Sequence, residues 1–177
     1  MRAIPFSAVL ALVAAPLAAQ SAHNSNAPID FGSDNIELQD KANRAVLSGN
    51  VVVKQAEMTL NAARMTISYK GQVVGGKPEA TRIDASGGVT VRRPDQTAKS
   101  QFAIYDLNRR NITMLGAVTL TQAGNTVNGG RLTINLDTGR AVIDGSSVRG
   151  SAGDAGGSTT SSAGGRVTGT FSVPNRN

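Results

Sequence analysis

A chain of 177 residues has room for one domain of ordinary size. With no Cys, no Trp and 20 Gly among its residues, it excludes a disulfide framework and a core built on large rings, so small and β-branched side chains on a sheet must supply the burial. The net charge of +6 is scattered rather than blocked and has no aromatics set among it. That argues against a nucleic-acid surface and leaves a solvated face or a general attraction to anionic partners such as phosphorylated lipid.

The first 19 residues read as a signal peptide. Arg2 gives a positive start, Ile4 to Ala15 an apolar run, and Leu17-Ala18-Ala19 the small residues of a cleavage site before Gln20. The run is too short to span a bilayer comfortably, and no cysteine is available for a lipid anchor. Residues 20–28 are polar and small, a flexible lead-in. Ile29 to Asp40 then alternates as an opening strand, with Ile36 and Leu38 on one parity.

The domain proper, 29–150, is organised by a repeat. Gly49, Gly87, Gly116 and Gly145 sit in strands of similar outline, and fifteen residues beyond the first three stand Arg64, Phe102 and Arg131, each opening a new apolar-alternating run. Those runs carry Met65/Ile67/Tyr69, Ala103/Tyr105/Leu107 and Leu132/Ile134/Leu136. A fixed period of this size means stacked copies of one hairpin unit. The longer first interval holds extra residues at 71–79, a Gly/Pro-rich insertion.

Counting by twos from the glycines gives Leu47, Val51 and Val53, then Ile83, Ala85, Val89 and Val91, then Ile112, Met114, Val118 and Leu120. The other parity is Ser, Thr, Asn, Asp and Arg. Such alternation predicts antiparallel strands with one buried face. The fourth copy slips after Gly145, and the Phe102 strand is apolar on both faces. The recurring glycine predicts a corner where a strand bends. Turn chemistry separates the strands and no amphipathic helix follows the signal, so the fold class is all-β. Residues 151–164 form a Gly/Ser-rich tether, 165–174 a C-terminal strand and 175–177 a tail.

Catalysis has little to work with. The sole histidine, His23, lies in the lead-in, which removes histidine-assisted nucleophiles and histidine metal sites. The acids are spread over turns and the outward parity. The chain therefore reads as a non-enzyme with no catalytic residues, no metal and no cofactor.

Pro28-Ile29-Asp30-Phe31-Gly32-Ser33-Asp34, Leu47-Ser48-Gly49-Asn50-Val51, Leu60-Asn61-Ala62-Ala63-Arg64, Ala103-Ile104-Tyr105-Asp106-Leu107 and Gly164-Gly165-Arg166-Val167 through Pro174 resemble, in order and spacing, the LptA/OstA family of lipopolysaccharide transport proteins. The chain departs from the family in its long tether, in the missing Asn after Gly87 and Gly116, and in its degraded fourth copy. The resemblance implies an open, twisted antiparallel β-jellyroll in the periplasm that binds lipopolysaccharide by its lipid A acyl chains. It also implies head-to-tail docking on itself, on an inner-membrane LptC-type protein and on an outer-membrane LptD-type protein. By the same resemblance Ile29 and Phe31 lie near the lipid-entry end. Ile36, Leu38, Leu47, Val51, Val53, Met65, Ile67, Val89, Val91, Tyr105, Leu107, Leu132 and Ile134 would continue the groove. Plain core packing is the competing role for each. The rival function is a structural β-filament or adhesin-like repeat with a solid core; a carbohydrate-active β-helix enzyme would need clustered acids that are not found.

Overall fold

The structure, a computed structural model, describes residues 23–72, 75–145 and 167–170. The predicted signal peptide, the tether at 151–164, Phe171 to Pro174 and the tail lie outside the described residues. Within them are strands β1 (Ile29–Gly32), β2 (Asn35–Gln39), β3 (Arg44–Gln55), β4 (Met58–Lys70), β5 (Glu79–Arg93), β6 (Gln96–Asp106), β7 (Asn111–Gln122), β8 (Asn125–Asn135), β9 (Ala141–Asp144) and β10 (Thr168–Thr170). All belong to one antiparallel sheet in the order β1-β3-β4-β5-β6-β7-β8-β10, with β2 also on β3 and β9 also on β8. The predicted all-β, open antiparallel architecture is what the chain forms.

Local chemistry fixes the hairpins. Three connections are two-residue turns: Ala56-Glu57, Pro94-Asp95 and Ala123-Gly124. In the last, φ is 48° and 80°, the paired left-handed geometry that matches strand twist. The insertion follows Lys70, which pairs with Glu79, and the ladder beside it absorbs one register shift, between Ser68 and Tyr69.

The glycines mark corners. Gly49 and Asn50 have φ of 78° and 46°, Gly87 and Gly88 84° and 74°, Gly116 and Ala117 79° and 46°. At each pair the ladder shifts, with Ser48 and Val51 opposite Arg64 and Ala62, so β3 carries one residue more than β4. Such a bulge bends a strand sharply. Space as well as torsion demands glycine there. A Cβ on Gly87 would stand 2.7 Å from the Ala63 Cβ, and one on Gly116 2.8 Å from Gln101 Oε1.

The bends fold the sheet on itself. Ala45, Ile67, Ile83 and Tyr105 are paired in one row across β3 to β6, and Gln55 lies ten residues along β3 from Ala45. In a flat sheet Gln55 and Tyr105 would be roughly 35 Å apart, at about 3.3 Å per residue and about 4.8 Å per strand. Instead the Tyr105 hydroxyl donates to Gln55 Oε1 at 2.5 Å. Two walls therefore face each other, joined along the glycine corner and meeting at a seam of hairpin tips.

Burial follows the bend. On β4 the inward residues are Met58, Leu60 and Ala62 before the corner and Met65, Ile67 and Tyr69 after it. The parity switches because only Ala63 and Arg64 span the bend there, against Ser48, Gly49 and Asn50 on β3. The same switch occurs on β6 between Ser100 and Ala103, which explains its apolar residues on both parities: Phe102 sits at the bend, half exposed on the outside.

Both ends differ from the simple reading. Ile29 to Asp40 is not one strand but two, β1 and β2, both paired to β3. The break has a cause: Asp34 N–H donates to the Gly49 carbonyl at 2.9 Å, and its carboxylate accepts from Asn50 Nδ2 at 2.9 Å, tying the chain to the first corner. At the far end β9 and β10 share β8 in the same manner, β9 against Arg131–Ile134 and β10 against Thr126–Asn128. The C-terminal strand thus returns to its own sheet. Among the described residues no fourth corner forms, since β9 stops at Asp144.

Ala117 holds a left-handed torsion that L-residues disfavour by about 1–2 kcal/mol. Replacing it with Gly should stabilise the fold by about 1 kcal/mol, whereas Gly87→Ala should destabilise it by about 2 kcal/mol. Urea unfolding midpoints of the two variants, moving in opposite directions, check this.

Candidate binding groove

Among the described residues, the inward face at the β1/β2 edge has no next strand to cover it. Phe31, Ile36 and Leu38 are paired with Val53, Leu47 and Ala45, so they point to the inside, yet they remain 53%, 49% and 52% exposed. Behind them opens a cavity of about 730 Å³. Of the predicted groove residues, Ile29, Phe31, Ile36, Leu38, Ile67 and Leu107 line it. Sequence reasoning missed its other walls: Ala45 and Tyr69 on the sheet, Pro78 and Ala80 beyond the insertion, and the segment Ser25 to Pro28.

The remaining predicted residues lie deeper. Leu47, Val51, Val53, Met65, Val89, Val91, Tyr105, Leu132 and Ile134 join one continuous core and are at most 2% exposed. Small interior side chains therefore do not leave the middle of the groove roomy. The walls close until they touch, because an unfilled apolar void forfeits contacts on both its sides. In this closed form, room for a guest lies at the mouth. The nine deeper residues pack against one another in that core.

A small polar cluster fastens the seam. Gln55, 2% exposed, accepts the Tyr105 hydroxyl from the opposite wall, and its Nε2 donates to the Ser25 and Ala27 carbonyls at 3.0 Å each. From the other wall Arg110 Nη2 donates to Asn26 Oδ1 at 2.9 Å. The stretch expected as a flexible lead-in is thus, from His23 to Pro28, a strap laid along the seam. Both rows of tips bond to it there. Tyr105, buried and so pushed up to about 12 despite the Gln55 bond, stays a neutral donor. The signal for this cluster was present in the sequence: a tyrosine on an inward parity needs a partner for its hydroxyl.

His23 Nε2 lies 3.3 Å from Gln55 Oε1. Burial holds its pKa below the usual 6.5, the Gln55 contact opposes that, Arg93 adds to it, and Glu57 and Asp137 work against it. On the outer face a shallow hollow of about 300 Å³ lies beside Arg64, Asp84, Phe102 and Leu115. The acids there and at the tips are engaged, Asp84 with Arg82 at 2.7 Å and Asp137 with Arg110 at 3.2 Å. Among the described residues no three His, Cys, Asp or Glu side chains are grouped to hold a metal ion.

The His23 shift makes strap seating depend on pH. Released His23 titrates near its ordinary value and seated His23 below it, so the seated strap is favoured fully above about pH 6.5 and loses that advantage as pH falls. Amide exchange at Ser25 and Ala27, which donate to the His23 and Asn24 carbonyls at 3.0 and 3.1 Å, should be less protected at pH 5.5 than at pH 8 after correction for intrinsic rates. His23→Gln should flatten that difference.

Comparison with known proteins agrees with the geometry. A family model described as the LptA/LptD N-terminal domain lipopolysaccharide transport protein matches residues 31–140. An uncharacterized protein of Rhizobium meliloti (strain 1021) is 34% identical over 125 residues, which cover 68% of this chain and 67% of that one. The fold is similar to the crystal structure of LptH, the LptA homologous periplasmic component of the lipopolysaccharide transport device of Pseudomonas aeruginosa, with TM-score 0.66 and 20% identity over 85% of this chain and 99% of that one. The chain belongs to the LptA/LptD N-terminal domain family of lipopolysaccharide transport proteins.

Proposed function

We propose that this protein carries lipopolysaccharide through the periplasm, sheltering lipid A acyl chains against the inward face of its folded sheet and bridging the inner- and outer-membrane export machinery. The observation that carries the reading is an apolar face that runs from a buried core into a half-exposed rim of Phe31, Ile36 and Leu38 over a cavity. Exposure of a chain costs about 0.8 kcal/mol per CH₂, so a dozen carbons left in water cost on the order of 10 kcal/mol. Such a lipid needs continuous cover. Sugars and phosphates can stay outside, near the excess positive charge. The role is carriage rather than catalysis: the sole histidine belongs to the strap.

The two edges suit end-to-end assembly. They are unlike, and joining unlike edges gives open chains. The β1/β2 edge offers unpaired backbone groups beside apolar side chains, and the β9/β10 edge offers a second row. We assign these as the surfaces that meet another copy, an LptC-type protein at the inner membrane and an LptD-type protein at the outer.

The packed middle favours a second reading, a structural β-repeat that binds no lipid. Photo-crosslinkers in cells separate the two. Under the carrier reading, groups placed at Ile36 and at Val51 label lipopolysaccharide and a group at outward Lys99 does not. Labelling at none of the three leaves the structural repeat. For assembly, a chain ending at Gly150 lacks β10 and should self-associate at least about tenfold more weakly, roughly 1.4 kcal/mol, by analytical ultracentrifugation. Unchanged association would exclude the terminal strand.

A further inference from the structure

We propose that the strap from His23 to Pro28 is a lateral gate, which must lift off the seam before an acyl chain can enter between the walls. The proposal rests on the carrier reading above and adds the route of entry: sideways, across the row of hairpin tips, rather than only through the end.

Three observations carry it. The strap forms one side of the mouth cavity, from Ser25 to Pro28, and faces Leu107 and Asn108 of the opposite tip. Without it the cavity would open along the seam. Second, it is held by polar bonds at separate points, Gln55 to two of its carbonyls and Arg110 to Asn26; its side chains alternate between half-buried and exposed, and none belongs to the core. An element anchored in that manner detaches without disrupting packing. Third, the seated state is imperfect. The Ser25 hydroxyl is buried with no partner, and so is Nη1 of Arg93, whose charge His23 feels. Lifting the strap would return the Ser25 hydroxyl to water.

Gln55 makes the gate more than a cover. Its oxygen ties the walls through Tyr105 while its nitrogen seats the strap. Departure of the strap leaves that amide without its two acceptors and loosens the tie between the walls. Strap release and wall opening are therefore coupled through one side chain.

The geometry offers two opposed substitutions in the full chain. Gln55→Glu keeps the shape and gives Tyr105 a stronger acceptor, but turns a carboxylate oxygen toward the Ser25 and Ala27 carbonyls, so it releases the strap while the tie between the walls stays. Asn26→Asp replaces the neutral acceptor of the Arg110 bond by a carboxylate, making it an ion pair, and tightens the strap. Association of a dansyl-labelled dodecanoate is followed by stopped-flow fluorescence at pH 8, with circular dichroism to verify folding. A gate that is mostly closed reduces apparent affinity by its open fraction, so Gln55→Glu should bind about tenfold faster and tighter than wild type, and Asn26→Asp several-fold slower and weaker. Equal rates for all three proteins overturn the gate while leaving the carrier reading intact. A reversed order also overturns it, since the strap would then be part of the lipid's seat. If none of the three binds the probe, both the carrier reading and the gate fall. Should Gln55→Glu fail to fold, Asn26→Asp decides the matter alone, because Asn26 is exposed.

Discussion

One face of this sheet cannot stay wet, and with no α-helix or second sheet among the described residues to cover it the sheet must cover itself. Everything else in the molecule follows from how it bends. Three successive pairs of left-handed residues, Gly49-Asn50, Gly87-Gly88 and Gly116-Ala117, turn three strands at the same level. The neighbouring strands follow through a parity switch rather than a second bulge. Folding brings Leu47 and Val51, which flank one corner, into the same core. It also creates a seam where the tips of two walls meet, and an end where the inward face runs out of partners.

A cover made this way can be exchanged. When the walls part, each inward side chain gives up contacts with other apolar side chains, and an acyl chain slipped between them returns contacts of the same kind. Little net apolar burial is lost. What opposes opening is then the small set of directional bonds across the seam, chiefly Tyr105 to Gln55 and the three bonds from the tips to the strap. Net values near 1 kcal/mol for each such bond make that opposition modest. A solid interior in the empty protein is therefore compatible with the proposed carriage of lipid by the same fold.

The hairpin period, the corners and the inward parity of the glycine strands were legible because each rests on local chemistry that a residue type announces. Gly at a bulge, alternation at period two and Pro94-Asp95 at a turn need no knowledge of the partner wall. The split of the opening strand was hidden, since Ile29 to Asp40 alternates with no obvious break. The interruption depends on Asp34 reaching Gly49, a contact made only once β3 has bent. The strap was hidden for a related reason. Ser25 to Pro28 is as polar as any linker, and its order comes from Gln55, thirty positions away. Gln55 itself looks like an ordinary turn residue until folding carries it against Tyr105. What lay beyond reach was which groups meet at the seam: an inward tyrosine announces that its hydroxyl needs a partner, but only the folded walls and strap supply Gln55.

The two edges bear on how such a molecule could act in series. Each is made of two short strands laid on one long one, β1 and β2 on β3, β9 and β10 on β8, so each steps at the level of the corner. A neighbour docking by strand pairing must bend at that level too, which selects partners of the same folded shape over flat sheets. Docking would also do for Phe31, Ile36 and Leu38 what no described strand of their own chain does, placing a continuing apolar wall beside them. If the far edge of a second copy supplies that wall, its partly buried Ala141 and Ile143 extend the inward face across the joint. The exposed rim is then the unfinished end of a longer lining, and its apolar character is explained by what it abuts rather than by what it dissolves in.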